Sequence, residues 1–277
     1  MIAARIIADS IAPNGVRLTT FQICFQRFIL PEFNTHRRFS RNASSSRAIP
    51  TKTLLAQVFN DPAFPISFGQ NQPGMQAGAE LVGWRLTAAK LVWGLSAKAA
   101  SLSARVLGAL GVHKQTANRV VEPFTWSHVI VSSTDWENFF NLRCHEDAQP
   151  EIRQLAELMR EALAASLPIY CTNGDWHLPY ITDQERIDYP VRDLIKMSAA
   201  RCARVSYLTH DGKNPSRDKD LSLYDRLVGS VPLHASPVEH QATPTPSAAD
   251  AGGNFNGWKQ HRQDVEALHY TFPPASE

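Results

Sequence analysis

The sequence predicts an α+β fold in which a small antiparallel or mixed sheet sits against a bundle containing one long helix. Three observations lead there. Strand-like composition is confined to two short stretches, "RLTTFQICFQRFI" at 17–29 and "WSHVIVSS" at 126–133. Helical periodicity marks most of the rest, over 76–110, 149–166, 191–203 and 218–228. The two patterns do not alternate strictly, which argues against a regular series of parallel βαβ units.

Each element has a local reason. Residues 17–29 combine Thr, Phe and Ile with partial alternation, so a strand is expected to run into a helix. Beyond Ile49-Pro50, Thr51 is placed to cap a short helix to about Asn60, which "DPAFP" then breaks. Residues 62–74, rich in Pro and Gly, read as an ordered loop. From Gln76 to Leu110, the spacing of Leu81, Trp84, Ala88, Leu91, Leu95, Leu102 and Val106 predicts a core-facing stripe, with Gly111 as the stop. Residues 113–122 read as a helical turn or two closed by Pro123. Helices are expected over 135–143 and 149–166, the second with Ile152, Leu155, Leu158, Met159 and Leu163 on one face. The Pro-, Tyr- and Asp-rich stretch 167–190 reads as a connector. Beyond Gln241, the Pro, Ser, Ala and Gly content predicts a mobile surface segment.

Composition narrows the function classes. The chain has 277 residues, 43% of them hydrophobic, enough for one large domain or two small ones. A net charge of +2 gives no reason to expect nucleic acid as a partner, so any basic site must be local. No run of 18 apolar residues occurs and "MIAARIIADS" lacks the apolar region of a signal peptide, so no membrane association is expected. Four dispersed cysteines, without a CxxC pair, read as reduced thiols of a cytoplasmic protein.

Five segments carry groups suited to chemistry. "THRRFSRNASSSRAIP" (35–50) gathers guanidinium forks and hydroxyls that bind phosphate, although a solvated basic loop has the same composition. In "HKQTANRVVEP" (113–123), Gln115 and Arg119 share a face if the segment is helical, and an ordinary surface helix is the competing reading. In "NFFNLRCHEDAQPEIRQL" (138–155), Arg143 follows an apolar run that should bury its surroundings. Cys144 beside it could be a nucleophile, but the sequence does not place a base for it, so a packed thiol is favoured. "HASPVEHQ" (234–241) offers two histidines and a glutamate, but Pro237 prevents a helix from presenting them together to a metal. "ARCARVSY" (200–207) ends a helical pattern with Arg204 and Ser206.

Together these segments resemble the flavin-dependent thymidylate synthases, whose signature reads R-H-R-x-x-S-x-N-E-x-S-x-R-Y. The chain has His36, Arg37, Ser40, Asn42, Ser45 and Arg47 in register, with Thr35, Ala43 and Ala48 where the signature has arginine, glutamate and tyrosine. Glu32 stands where that family usually has glutamine. "CARVS" ending at Ser206, "HASPVEH" and "NFFNLRCHEDAQPEI" match three further family segments. In the familiar order the first two of these precede the signature, whereas here they follow it. The chain therefore resembles a circularly permuted member, a form that would suit a phage or phage-derived gene. Residues 1–166 and 200–241 would be the core of one domain, 167–199 the connector and 242–277 a C-terminal extension.

The resemblance implies methylation of C5 of dUMP to dTMP, with methylenetetrahydrofolate giving the carbon and FAD, reduced by NADPH, giving the hydride. It implies Ser45, Arg47, Arg119 and Arg143 at dUMP, and His36, Arg37, Ser40, Asn138, Ser206 and Glu239 at FAD. His234 would sit near the reacting rings, with Arg143, His234 and Arg47 as the catalytic set and no metal. It also implies a homotetramer with active sites between subunits. A deoxypyrimidine monophosphate hydroxymethylase and a non-enzymatic nucleotide- or flavin-binding descendant are the alternatives.

Overall fold

The computed structural model describes residues 1–206, 216–246 and 253–269. In chain order the elements are β1 (Ala3–Ile11), β2 (Arg17–Gln26), α1 (Leu30–Asn34), β3 (Ser40–Ala43), α2 (Thr51–Asn60), α3 (Gly83–Ala109), α4 (Lys114–Ala117), β4 (Trp126–Ser133), α5 (Glu137–Arg143), α6 (Pro150–Ala165), β5 (Ile169–Tyr170), α7 (Asp183–Asp188), α8 (Val191–Ala203), α9 (Arg217–Val228), β6 (Ala242–Pro244), β7 (Trp258–Gln260) and α10 (His261–His269). The α+β class and the mixed sheet expected from sequence are both present.

The main sheet runs β3-β4-β2-β1-β5, antiparallel throughout except for the β1–β5 pair, and β6 and β7 form a separate ribbon. The alternation in β2 decides its two faces. Phe21, Ile23 and Phe25 join Val129 and Val131 of β4 against Phe33, Phe139, Ile152, Leu155 and Met159, forming the largest apolar core. Thr20 and Cys24 alternate with these positions in the same strand and face the other way. On that second face Ile130 meets Cys202 and Val205, and α8 packs on α9 through Ala199, Ala200, Leu223 and Tyr224. The sheet is thus covered by α5 and α6 on one side and by α8 on the other. β1, in a stretch for which the sequence predicts no strand, pairs with β2 from Ala3↔Cys24 to Ile11↔Arg17.

Three expectations are corrected. The long helix begins at Gly83 rather than near Gln76, because Glu80 is bridged to Gly69 and its carboxylate accepts the Phe68 N–H at 2.9 Å. Its large apolar side chains in the expected stripe do not face the core: Trp84 is 79% exposed, Leu91 61%, Leu95 54% and Leu102 61%. The buried face is instead made of Ala97, Ser101 and Ala104, small residues that let α3 lie close to Leu54, Val58 and Val121. Trp93 anchors this face, donating its indole N–H to the Ala63 carbonyl at 3.0 Å and contacting the rings of Phe28, Phe68 and Phe124.

The second correction concerns the segment beyond Gln241, which is no mobile surface tail in its described parts, 242–246 and 253–269. Trp258 and Phe255 are fully buried with Ala12, Leu18, Cys171 and Ala242, and the Trp258 indole donates to the Val16 carbonyl at 3.2 Å. Low hydrophobicity misleads here because a few residues, Trp258 and Phe255 foremost with Ala242 and Val265, do the packing. Third, Gln115 and Arg119 do not share a continuous α-helical face. The α-helix ends at Ala117 and 118–124 is a 3-10 turn containing Pro123.

Candidate functional site

The residues singled out by sequence fall into three groups. In the first, β3 and the turn before it bring His36 against α5. Arg143 donates its Nε–H to His36 Nε2 at 2.9 Å and reaches the Glu32 carbonyl at 3.4 Å and the Thr35 hydroxyl at 3.3 Å. His36 is buried beside the rings of Phe39 and Phe139. Burial, then Arg143 and Arg41, lowers its pKa to about 4, so it is neutral at pH 7 with Nε2 as the acceptor. Asn138, on the same helix as Arg143, and Arg37 are exposed.

The second group lies where β3 meets the turn Ser236–Glu239. Ser40 is fully buried, and its hydroxyl accepts N–H groups from Asn254 and Gln260, both at 3.0 Å. The Glu239 carboxylate pairs with Arg262. Burial raises the Glu239 pKa, and Arg262 and Ser40 oppose that rise. His234 is exposed five residues earlier, its backbone N–H bonded to the Leu227 carbonyl at 3.3 Å. Ser206 closes the 3-10 turn Arg204–Ser206, and its side chain lies outside the described residues.

The third group is the loop after β3. Ser45 is half-buried and its carbonyl accepts the Ala48 N–H at 3.0 Å. Arg47 is exposed and has no hydrogen bond or ion pair among the described residues. Next to it Glu122 gathers three donors: Arg119 at 2.9 Å, Arg27 at 3.1 Å and the Ser46 hydroxyl. Arg119 is thus half-exposed and held by one carboxylate. Asn118 fastens the loop by donating to the carbonyls of Ser46 at 2.7 Å and Ile49 at 3.0 Å.

A cleft of about 1050 Å³ opens along this loop, lined among others by Cys24, Ser44, Ala48, Lys52, His128 and Val205. Its volume suits a nucleotide-sized ligand. Val205 brings the "ARVS" turn to the same cleft as the signature loop, which sequence order alone does not suggest. Burial pushes the Cys24 thiol up to about 11 and lowers the His128 pKa, so both are neutral at pH 7. Burial also raises the Cys144 thiol, which opposes formation of a nucleophilic thiolate. Among the described residues no cluster of three His, Cys, Asp or Glu is placed to hold a metal. No described helix is long and apolar enough to cross a membrane.

Sequence reasoning missed Glu122, Lys52, His128, Gln260 and Arg262. Glu122 lies inside the quoted segment 113–123 and Lys52 just beyond 35–50, so both carried a weak signal by proximity. His128 sits in an alternating strand and the last two in a segment expected to be mobile, so neither pattern pointed to a site.

The family model described as thymidylate synthase complementing protein matches residues 17–169, more than half of the chain. The chain belongs to this family. No curated protein matches it. Among solved structures, it is similar to the UMP/dUMP methylase PolB from Streptomyces cacaoi bound with 5-Br UMP, at 17% identity and a TM-score of 0.48, covering 59% of this chain and 89% of that one. The same methylase bound with 5-Br dUMP aligns at 15% identity and a TM-score of 0.48, over 59% and 90%. Thymidylate Synthase X from Helicobacter pylori with FAD and dUMP aligns at 17% identity and a TM-score of 0.38, over 53% and 67%.

Proposed function

We propose that this chain is a flavin-dependent thymidylate synthase that converts dUMP to dTMP, with methylenetetrahydrofolate as carbon donor and NADPH as reductant. The observation that carries the reading is the family match over a segment whose signature loop lines a nucleotide-sized cleft through Ser44 and Ala48, with Arg47, exposed and unpaired among the described residues, between them in sequence. An unpaired guanidinium beside hydroxyl donors is the chemistry that captures a phosphate monoester. The donor set fits a flavin dinucleotide at the exposed Arg37 and Asn138, while His36, Ser40 and Glu239 are held in place by partners within the chain. When bound, FAD would supply the hydride chemistry. The protein's own part is to bind and orient. Arg47, Ser45 and Arg119 hold the nucleotide, Arg143 sets the position of His36 and polarises the pyrimidine, and His234 lies by the rings.

The single domain is a permuted form of the family fold. Contact between β3 and the Ser236–Glu239 turn supports this, since it joins motifs nearly 200 residues apart. Active sites completed between subunits of a homotetramer account for why the three groups remain separate within one chain. The exposed stripe on α3 supports a second copy as its cover.

Ala48 lines the cleft where the signature has tyrosine. The space this frees favours, as a second reading, transfer of a hydroxymethyl group to the same class of nucleotide. The test is tritium release from C5-labelled dUMP by protein reconstituted with FAD, with the product identified. Release that requires methylenetetrahydrofolate and yields dTMP supports the first reading, and a hydroxymethyl product supports the second. A colourless protein that takes up no FAD refutes both and leaves a non-enzymatic descendant.

A further inference from the structure

The amide of Gln260, at the end of β7, uses all of its hydrogen-bonding groups at one place. Its Nε2 donates to the Ser40 hydroxyl at 3.0 Å and to the Glu239 carbonyl at 2.6 Å, while its Oε1 accepts the Asn254 N–H at 2.8 Å. Only 2% of the residue is exposed. The clamp is closely built: a Cβ at Gly253 would run into Gln260 Oε1, so a larger residue there would push the amide out of place. Two residues on, Arg262 completes the arrangement. It pairs with the Glu239 carboxylate through Nη1 and with Glu266 through Nε at 2.7 Å. Asn254 adds a second donor to Ser40 at 3.0 Å.

We propose that Gln260 and Arg262 are positioning residues of the site, fixing the Ser40 hydroxyl and the Glu239 carboxylate relative to each other. Both lie outside the residues matched by the family model, 17–169, in the segment whose composition predicts surface disorder. Their functional meaning rests on the reading that Ser40 and Glu239 line the flavin. The physical argument concerns the carboxylate. Arg262 and Glu266 face it from α10, Ser40 and Arg41 from β3, and the chain around it is buried. Without the Arg262 guanidinium, burial would act with less opposition and favour the protonated acid. Without the Gln260 amide, the backbone at Glu239 and the hydroxyl of Ser40 would each lose a buried donor.

The test uses the full-length protein and two readouts. Carboxyl carbon NMR of Glu239 should show its titration midpoint rising by about one pH unit in Arg262→Met, and by less in Arg262→Lys, which keeps the charge. FAD affinity should fall about tenfold in Gln260→Ala, as expected for removal of a group that orients a ligand contact. A wild-type titration in Arg262→Met overturns the proposal even if Gln260→Ala fails to fold. Wild-type FAD affinity in a folded Gln260→Ala overturns it as well. A shifted Glu239 midpoint in a protein that releases no tritium from dUMP leaves the clamp standing and refutes the enzymatic reading instead.

Discussion

Arg143 and His36, 107 residues apart in sequence, share one hydrogen bond, from the guanidinium Nε–H to the imidazole Nε2 at 2.9 Å. The bond requires a neutral histidine, and the same guanidinium helps keep it neutral. The folded pKa of about 4 lies below the ordinary 6.5. Between those values the unfolded chain therefore binds more protons than the native one, and stability rises with pH across this window. The contribution is complete above pH 6.5 and disappears as pH falls to about 4. In Arg143→Met the His36 pKa should rise, because a neighbouring cation and a donor to the neutral ring are both removed. Proton NMR of the His36 ring checks this. An unmoved titration would show that the bond does not form in solution.

Arg47 and Arg143 should separate cleanly on substitution. Arg47→Ala removes an exposed group without a partner among the described residues, so stability should stay within about 0.5 kcal/mol while dUMP-dependent turnover is lost. Arg143→Ala should lose turnover and also about 1–3 kcal/mol, because it strands His36 Nε2 in a buried place. Urea unfolding beside tritium release distinguishes the two. Normal turnover in both variants would remove these arginines from the site.

What the sequence disclosed follows from how each signal arises. The helices over 149–166 and 191–203 and the strand over 126–133 were legible because their apolar positions face cores inside the same chain. The helix over 51–60 was legible from the "DPAFP" break after it, although Thr51 is its first residue and not its cap. The periodicity of 76–110 was equally clear, yet it reported an apolar face and not which neighbour covers it. The two-residue β5 and the three-residue β6 and β7 are too short to show alternation, so the C-terminal ribbon was invisible. The signature raised the expectation of a site role for Ser40, and the "HASPVEH" segment did so for Glu239. Gln260 and Arg262, which bind them, belong to no motif and emerge only from tertiary contacts.

The α3 stripe gives a prediction about assembly. Leu91 and Leu95 are one helical turn apart and more than half exposed. Burying both against a second subunit would contribute about 1.5–3 kcal/mol for each side chain. A Leu91→Glu, Leu95→Glu double variant should therefore sediment as a smaller species than the wild type, with its helical circular dichroism retained. An unchanged sedimentation coefficient would mean that this face is not a subunit contact.

The second face of the sheet carries a buried polar chain that should dominate acid stability. The Ser10 hydroxyl meets His177 Nδ1 at 2.9 Å, His177 Nε2 meets the Thr20 hydroxyl at 2.7 Å, Thr20 meets Ser132 at 2.6 Å, and Ser132 meets His240 Nδ1 at 2.8 Å. These groups tie residues 177 and 240 to three strands. Burial brings both histidines to a pKa of about 3, so each is neutral in the fold and would take up a proton on unfolding below the ordinary 6.5. The linkage has the same sign as for His36: full stability above pH 6.5 and progressive loss towards pH 3. Thr20→Val keeps the shape but cuts the chain, leaving Ser132 and His177 each short of a partner. At pH 7 it should cost about 1–3 kcal/mol, with the dependence on pH largely kept because both histidines remain. His177→Phe should instead weaken that dependence, since one proton-binding group leaves the balance. Urea midpoints measured at pH 7 and pH 5 for the two variants decide the matter. If Thr20→Val matches the wild type at pH 7, the chain contributes no net stability and the buried histidines are held by packing alone.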